Sequence, residues 1–312
     1  ASGWTNNGGT YTTTGGVAFT GSTASQIGGT TTTSFNNYTM NKSGGVTLNA
    51  PAIINGALTL TNGVITTTTA NNLQLSATAT ASAGSASAYV DGPMTKIGNT
   101  TFTFPTGNGG RWRRVGVTGM TSPTTAITAQ YFSATPPSTS LLSNTLSAVG
   151  TNEYWDVERT VTTDPIKIQL YWESTPLSSL LSNCSTLTVA HFKGGMWQQE
   201  SATMISGPLT CLLGSSGSIQ TDCVSTFSPF GFGGSGGGSL PIKLVSFAAV
   251  DNGNIVERQW VTQLEINNAY FPLERSTDVP NWEEVGRVDG AGNSPTIHSY
   301  SPPTFHPIHR TS

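Results

Sequence analysis

Residues 45–92 read GVTLNAPAIINGALTLTNGVITTTTANNLQLSATATASAGSASAYVDG. Short alternating runs (Val46-Thr47-Leu48, Ala57-Leu58-Thr59-Leu60, Val64-Ile65-Thr66, Leu73-Gln74-Leu75) are broken by Asn-Gly, Asn-Ala or Asn-Asn. Alternation sends every second side chain inward, and Asn and Gly tolerate the backbone of tight corners. Asn-Gly between strands is also a hairpin signal. The pairs Asn55-Gly56 and Asn62-Gly63 lie seven residues apart. That spacing is short for successive hairpins and suits successive corners of a coil. It therefore predicts a parallel β-solenoid whose rungs stack on one another. Residues 1–40, with GGTYTTTGGVAFTGSTASQIGGTTTTSFNNYTM, read as earlier, less regular rungs.

Working outward, the chain has 312 residues and only 9 % charged side chains, against about 25 % in an average soluble domain. Within residues 1–90 the single charge is Lys42. Helical periodicity is nearly absent, and hydroxyl-rich alternating runs predict an all-β fold. Residues 111–230 carry longer runs (RRVGVTGM, TTAITAQYFSA, EYWDVERTVT, IKIQLYWES, TLTVAHFKGGMWQQES) whose turn breaks suit an antiparallel sandwich. The glycine-serine stretch 231–239 reads as a linker. Residues 240–312 then offer five strand-like runs, at 242–250, 255–263, 270–276, 282–288 and 297–301, with Trp260 as the core aromatic. A whole sandwich of immunoglobulin type needs about seven strands in about 100 residues. The expected organisation is thus a solenoid-like region over 1–110, a sandwich over 111–230, the linker, and an incomplete immunoglobulin-like module.

A resemblance supports that division. The stretch 34–117, from SFNNYTM through the V-D-G-P-M and F-P-T-G motifs to RWRRVGV, resembles a pattern in large secreted surface proteins of Bacteroidetes. There an Asn- and Thr-rich solenoid runs into a β-sandwich. FSPFGFG (227–233) resembles the end of such a sandwich, and 240–294 is similar to the immunoglobulin- or fibronectin-like module standing before the sorting domain of type IX secretion substrates. The resemblance implies export and a cell-surface address, and no catalytic residues. The opening ASGWTNNGG also reads as a mature form whose leader has gone.

The function classes follow. Net charge is −3 and the one basic cluster is RWRR (111–114), which argues against nucleic acid. No apolar run approaches the roughly 18 residues of a membrane helix, so no membrane insertion is expected. His191, His298, His306 and His309 form no metal-binding spacing, no G-x-S-x-G elbow occurs, and no cofactor is expected. Asp156 and Glu158 face one way on a strand, as a solvated face pairing with Arg159 or Lys167. Three cysteines allow a disulfide of Cys211 with Cys184 or Cys223, or three buried thiols.

An incomplete sandwich leaves an apolar groove and an unpaired edge, which invite a strand from another chain. The partner expected first is a second copy, joined through Val17, Ala18 and Phe19 of one subunit and a groove lined by Leu244, Phe247, Trp260 and Phe271 of the next. Such a contact does not close and builds a filament. The rival expectations are a surface-glycan platform of Trp112, Trp155, Trp172 and Trp197, and an inactive fragment of a large adhesin.

Overall fold

The computed structural model describes residues 3–11, 14–143, 145–174, 178–182, 186–206, 215–227, 229–235, 243–251, 256–276, 281–294 and 296–301. The protein is all-β. One 3-10 turn, Ser179–Ser182, is the sole helical element among the described residues. The chain divides into two compact units, one formed by residues 1–140 with 146–236, the other by 237–312 with 141–145.

The first unit opens as a three-faced parallel coil. One face stacks Gly3–Asn6, Ser25–Gly29, Val46–Leu48, Ile65–Thr66, Val90–Asp91 and Thr106–Asn108. A second stacks Thr33–Phe35, Ala52–Ile54, Leu73–Leu75 and Met94–Ile97. A third stacks Gly16–Gly21, Asn37–Lys42, Ala57–Asn62 and Thr80–Ala81. Thr33 lies beside Ala52, Ala52 beside Leu73 and Leu73 beside Met94, so successive rungs take 19, 21 and 21 residues. Inward positions repeat from rung to rung, and Phe35, Ile54 and Leu75 form one fully buried column.

The corners explain the Asn and Gly punctuation. Asn55-Gly56 turns the chain from the second face to the third, and Asn62-Gly63 turns it from the third to the first. Side-chain amides brace the corner below, where Asn37 Oδ1 accepts the Ala57 N–H at 2.8 Å and Asn36 Nδ2 donates to Thr14 O at 2.7 Å. Gly63 has φ +93°, and a Cβ there would stand 1.8 Å from Lys42 O. Lys42 itself is buried and donates from Nζ to Thr20 O at 3.0 Å. Each four-threonine run, 30–33 and 66–69, sends one side chain inward. Thr33 and Thr67 are buried, and Thr67 Oγ1 donates to Pro93 O at 2.8 Å.

Coil and sandwich share one sheet. Met94–Ile97 pairs parallel with Leu73–Leu75 on one side and antiparallel with Ala126–Phe132 on the other. From there the sheet continues through Tyr154–Val161, Pro229–Ser235, Leu187–Lys193 and Met196–Glu200. The facing sheet is Phe102–Phe104, Val115–Thr118, Lys167–Trp172, Gly217–Thr221 and Ala202–Ser206. The two meet through Trp155, Trp172 and Phe232, with Phe232 edge-on to both indoles at 5.3 and 5.9 Å. The division expected at residue 110 falls inside the hairpin of Thr106–Asn108 with Arg111–Trp112.

The linker expected over 231–239 needs correction in its first half. Pro229–Ser235 is a strand with Phe230 and Phe232 fully buried. Its glycines serve packing, since a Cβ on Gly233 would sit 2.9 Å from Leu146 and 3.2 Å from Ala190. Residues 236–239 lie outside the described part.

The second unit is a single antiparallel sheet of Lys243–Asp251, Val256–Arg275, Glu283–Ser294 and His298–Tyr300. The two runs expected over 255–263 and 270–276 are one twenty-residue strand. It is irregular between Glu265 and Tyr270. Buried Glu265 organises that irregularity by accepting Thr262 Oγ1 (2.7 Å), Asn268 Nδ2 (2.7 Å), the Ala291 N–H (2.8 Å) and the Tyr300 hydroxyl. Burial pushes its carboxyl pKa up, but those four donors outweigh it and leave the group below its ordinary value.

Candidate interaction surface

The expected subunit groove lies in the second unit, and the register brings its residues together. Phe247 pairs across from Trp260, and Leu244 across from Thr262. A shift at Leu244/Ser246 puts Leu244 and Phe247 on one face despite their odd spacing. Trp260 stacks with Tyr300 at 5.4 Å and meets Phe271 edge-on at 5.2 Å, while Phe247 stands 6.4 Å from Trp260. Tyr300, which the sequence reading left out, completes the cluster. Burial pushes its hydroxyl pKa up to about 12, with the Glu265 hydrogen bond adding to the effect.

Exposure sorts these residues into two roles. Trp260 is 3 % exposed and Phe271 half-buried, so Trp260 belongs to the core of this sheet and not to its surface. Leu244, Val245, Phe247 and Val250 are 52, 58, 59 and 54 % exposed. All four sit on Lys243–Asp251, which pairs only with Val256–Arg275 among the described residues. Its outer edge therefore carries unpaired backbone groups beside four large apolar side chains, with no charge from 244 to 250. Natural edge strands are usually short, charged, bulged or covered to prevent pairing. This one is nine residues long.

Val17, Ala18 and Phe19 lie on Gly16–Gly21, the first strand of the third coil face. Six consecutive pairs tie it to Asn37–Lys42, and Phe19 stacks on Tyr38 at 5.3 Å. The segment is thus an integral edge of the coil. It cannot leave as a donor strand without exposing Tyr38, but its outer side has no partner among the described residues. Trp4 is half-buried between Tyr11 (4.8 Å) and Phe35 (5.2 Å).

The glycan platform is not formed. Trp155, Trp172 and Trp197 are at most 1 % exposed and belong to the core. Trp197 Nε1 donates to Pro137 O at 2.8 Å. Trp112 is half-buried, donates from Nε1 to Ala83 O at 3.0 Å, and carries the Arg114 guanidinium over its ring at 4.5 Å. Arg114 also covers Tyr171 at 4.5 Å and pairs with Glu173 at 2.9 Å. Trp282 is 62 % exposed.

Arg159 does not pair with Asp156 or Glu158, and instead donates to the carbonyls of Asp164 and Ser225. Burial raises the pKa of both Asp156 and Glu158, and Asp156 adds to the effect at Glu158. His191 is fully buried, stacked on Phe230 at 4.0 Å, with Nδ1 2.7 Å from Glu200 Oε1. Cys223 is a free, exposed thiol, so its pairing with Cys211 is not formed. Cys184, Cys211, His306 and His309 lie outside the described residues.

At the junction of coil and sandwich, Glu153 and Arg113 form an ion pair at 3.1 Å, with side-chain exposures of 1 and 3 %. Tyr131 donates its hydroxyl to the same carboxylate oxygen at 3.0 Å. Burial raises the Glu153 pKa, and Arg113 and Tyr131 only partly oppose it.

Comparison with family models, curated proteins and solved structures gives no match.

Proposed function

We propose that this chain is an exported, non-catalytic structural protein of the cell surface that polymerises through strand-edge pairing. In this reading the edge Lys243–Asp251 of one copy meets the edge Gly16–Gly21 of the next. Different surfaces on the two partners make the contact heterologous, and a heterologous contact that does not close gives a fibre. The surface address rests on the likeness to Bacteroidetes surface proteins over 34–117 and 240–294. In this reading the second unit is an immunoglobulin-like layer that presents the edge Lys243–Asp251.

The observation carrying the proposal is the bare edge Lys243–Asp251, with four apolar side chains more than half exposed. Gly16–Gly21 carries no charge, and Lys243–Asp251 carries none between its two end residues. Edge pairing therefore satisfies backbone groups on both sides without stranding a charge.

The test is negative-stain microscopy with sedimentation velocity on the wild type and Phe247→Lys. Wild type forms fibres or a concentration-dependent series of oligomers, and F247K stays monomeric with an unchanged circular dichroism spectrum. A wild type that remains monomeric at about 100 μM, where even weak specific contacts are populated, refutes the proposal.

A further inference from the structure

The coil and sandwich are joined differently on their two sides. On one side Met94–Ile97 makes a single sheet of both. On another, the third coil face ends at Thr80–Ala81, and the facing sandwich sheet begins at Phe102–Phe104. Each of these two strands has a partner on one side only among the described residues. A groove of about 690 Å³ is lined by both, through Ala77–Ala81 and Ala83 on one wall and Asn99–Thr103 on the other. That volume falls within the roughly 300–1,000 Å³ of ligand-binding clefts.

Two contacts hold the coil wall from behind. Lys96, buried and outside the lining, donates from Nζ to Ser76 O (2.9 Å), Ala77 O (2.8 Å) and Ile97 O (2.5 Å) beneath the Phe102 ring. Trp112 Nε1 donates to Ala83 O at 3.0 Å. Backbone polarity between them is set by the coil. Thr80 and Ser82 donate their N–H groups to Gly56 O and Leu58 O, both at 2.9 Å. Ala81, between them, must therefore turn its N–H and C=O the other way, towards the groove.

We propose that this groove is a β-augmentation site, which takes one extended, uncharged peptide strand between the Thr80–Ala81 and Phe102–Phe104 edges. Chemistry narrows the occupant. The lining holds no charged side chain, so a charge pointing into it would be desolvated with no counter-ion. Ala79 and Phe102 are buried at the base, while Thr78, Thr80, Thr100 and Thr101 are exposed at the rim. A strand with small apolar residues on one face and Thr or Ser on the other matches both. Main-chain hydrogen bonds supply affinity in such contacts, and the side-chain pattern supplies selectivity. This site is separate from the Lys243–Asp251 edge.

The probe is the blocked heptapeptide TVTATVT, titrated into the full chain and followed by backbone amide chemical shifts. The site predicts saturable shifts at Ala81 and Phe102–Phe104. Replacing both valines by Glu abolishes them. Ala81→Pro removes the groove-facing N–H without touching the coil bonds and weakens binding about threefold to tenfold, as loss of one hydrogen bond does. Thr100→Trp, which fills the groove from the opposite wall, blocks binding even if Ala81→Pro disturbs the coil. Absence of shifts, shifts located elsewhere, or T100W binding as wild type would overturn the proposal.

Discussion

Arg113→Ala tests whether coil and sandwich are one cooperative body. Arg113 stands beside the hairpin where the two regions meet, and its partner Glu153 is 1 % exposed. Removing the guanidinium leaves the carboxylate buried with the Tyr131 hydroxyl and the weaker pull of the Arg111 charge. Breaking a buried pair from one side costs about 3–5 kcal/mol. In a unit of this size each kcal/mol moves Tm by about 2–4 °C, so the variant should melt roughly 6–20 °C lower. The loss also acquires a pH signature. Glu153 has its folded pKa raised by burial. Between the unfolded and folded values the native state holds the proton more tightly, so stability falls as pH rises through that window. Without Arg113 the folded pKa climbs further, and R113A should regain stability as pH is lowered from 7 towards 5. Arg113→Met with Glu153→Leu removes both charges and should melt near wild type. Calorimetry over pH 5–8 reads all three. A Tm shift below about 2 °C, or separate melting of the coil and sandwich, would refute the reasoning.

Other outcomes follow from single contacts. Gly63→Ala places a Cβ against Lys42 O at a positive φ and should destabilise the first unit by about 1–3 kcal/mol in a denaturant titration. Glu265→Ala strands the donors of Thr262, Asn268 and Ala291 and should lower the melting of the second unit while sparing the first. Because the folded Glu265 pKa is lowered, its contribution is present at neutral pH and disappears as pH falls through the folded value. E265A should therefore flatten the acid limb of the stability curve. Cys223, exposed and free, should react with a maleimide in the native protein at a rate close to that of the unfolded chain.

Much of the coil was legible, because its information is local. The seven-residue spacing of Asn55-Gly56 and Asn62-Gly63 gives the corners directly, and the alternation of Leu58 and Leu60 gives the inward side. What could not be read depends on partners far along the chain. The FGFGG run looks like a linker until Leu146, Thr188 and Ala190 crowd Gly233 from other strands. The runs 255–263 and 270–276 read as two because the donors that bury Glu265 between them include Ala291 and Tyr300, 26 and 35 residues away. The tryptophans offered no exposure signal of their own, and the sheet pairing decided it. Leu244 and Phe247 share a face only because the strand shifts register between them.

Backbone hydrogen exchange on assembled against dispersed protein tests the strand-edge account most directly. Edge pairing predicts that amides within 243–251 and 16–21 gain protection together on assembly, in the alternating pattern of a newly paired edge. Fibres or oligomers in which both segments exchange as fast as in the monomer would contradict it.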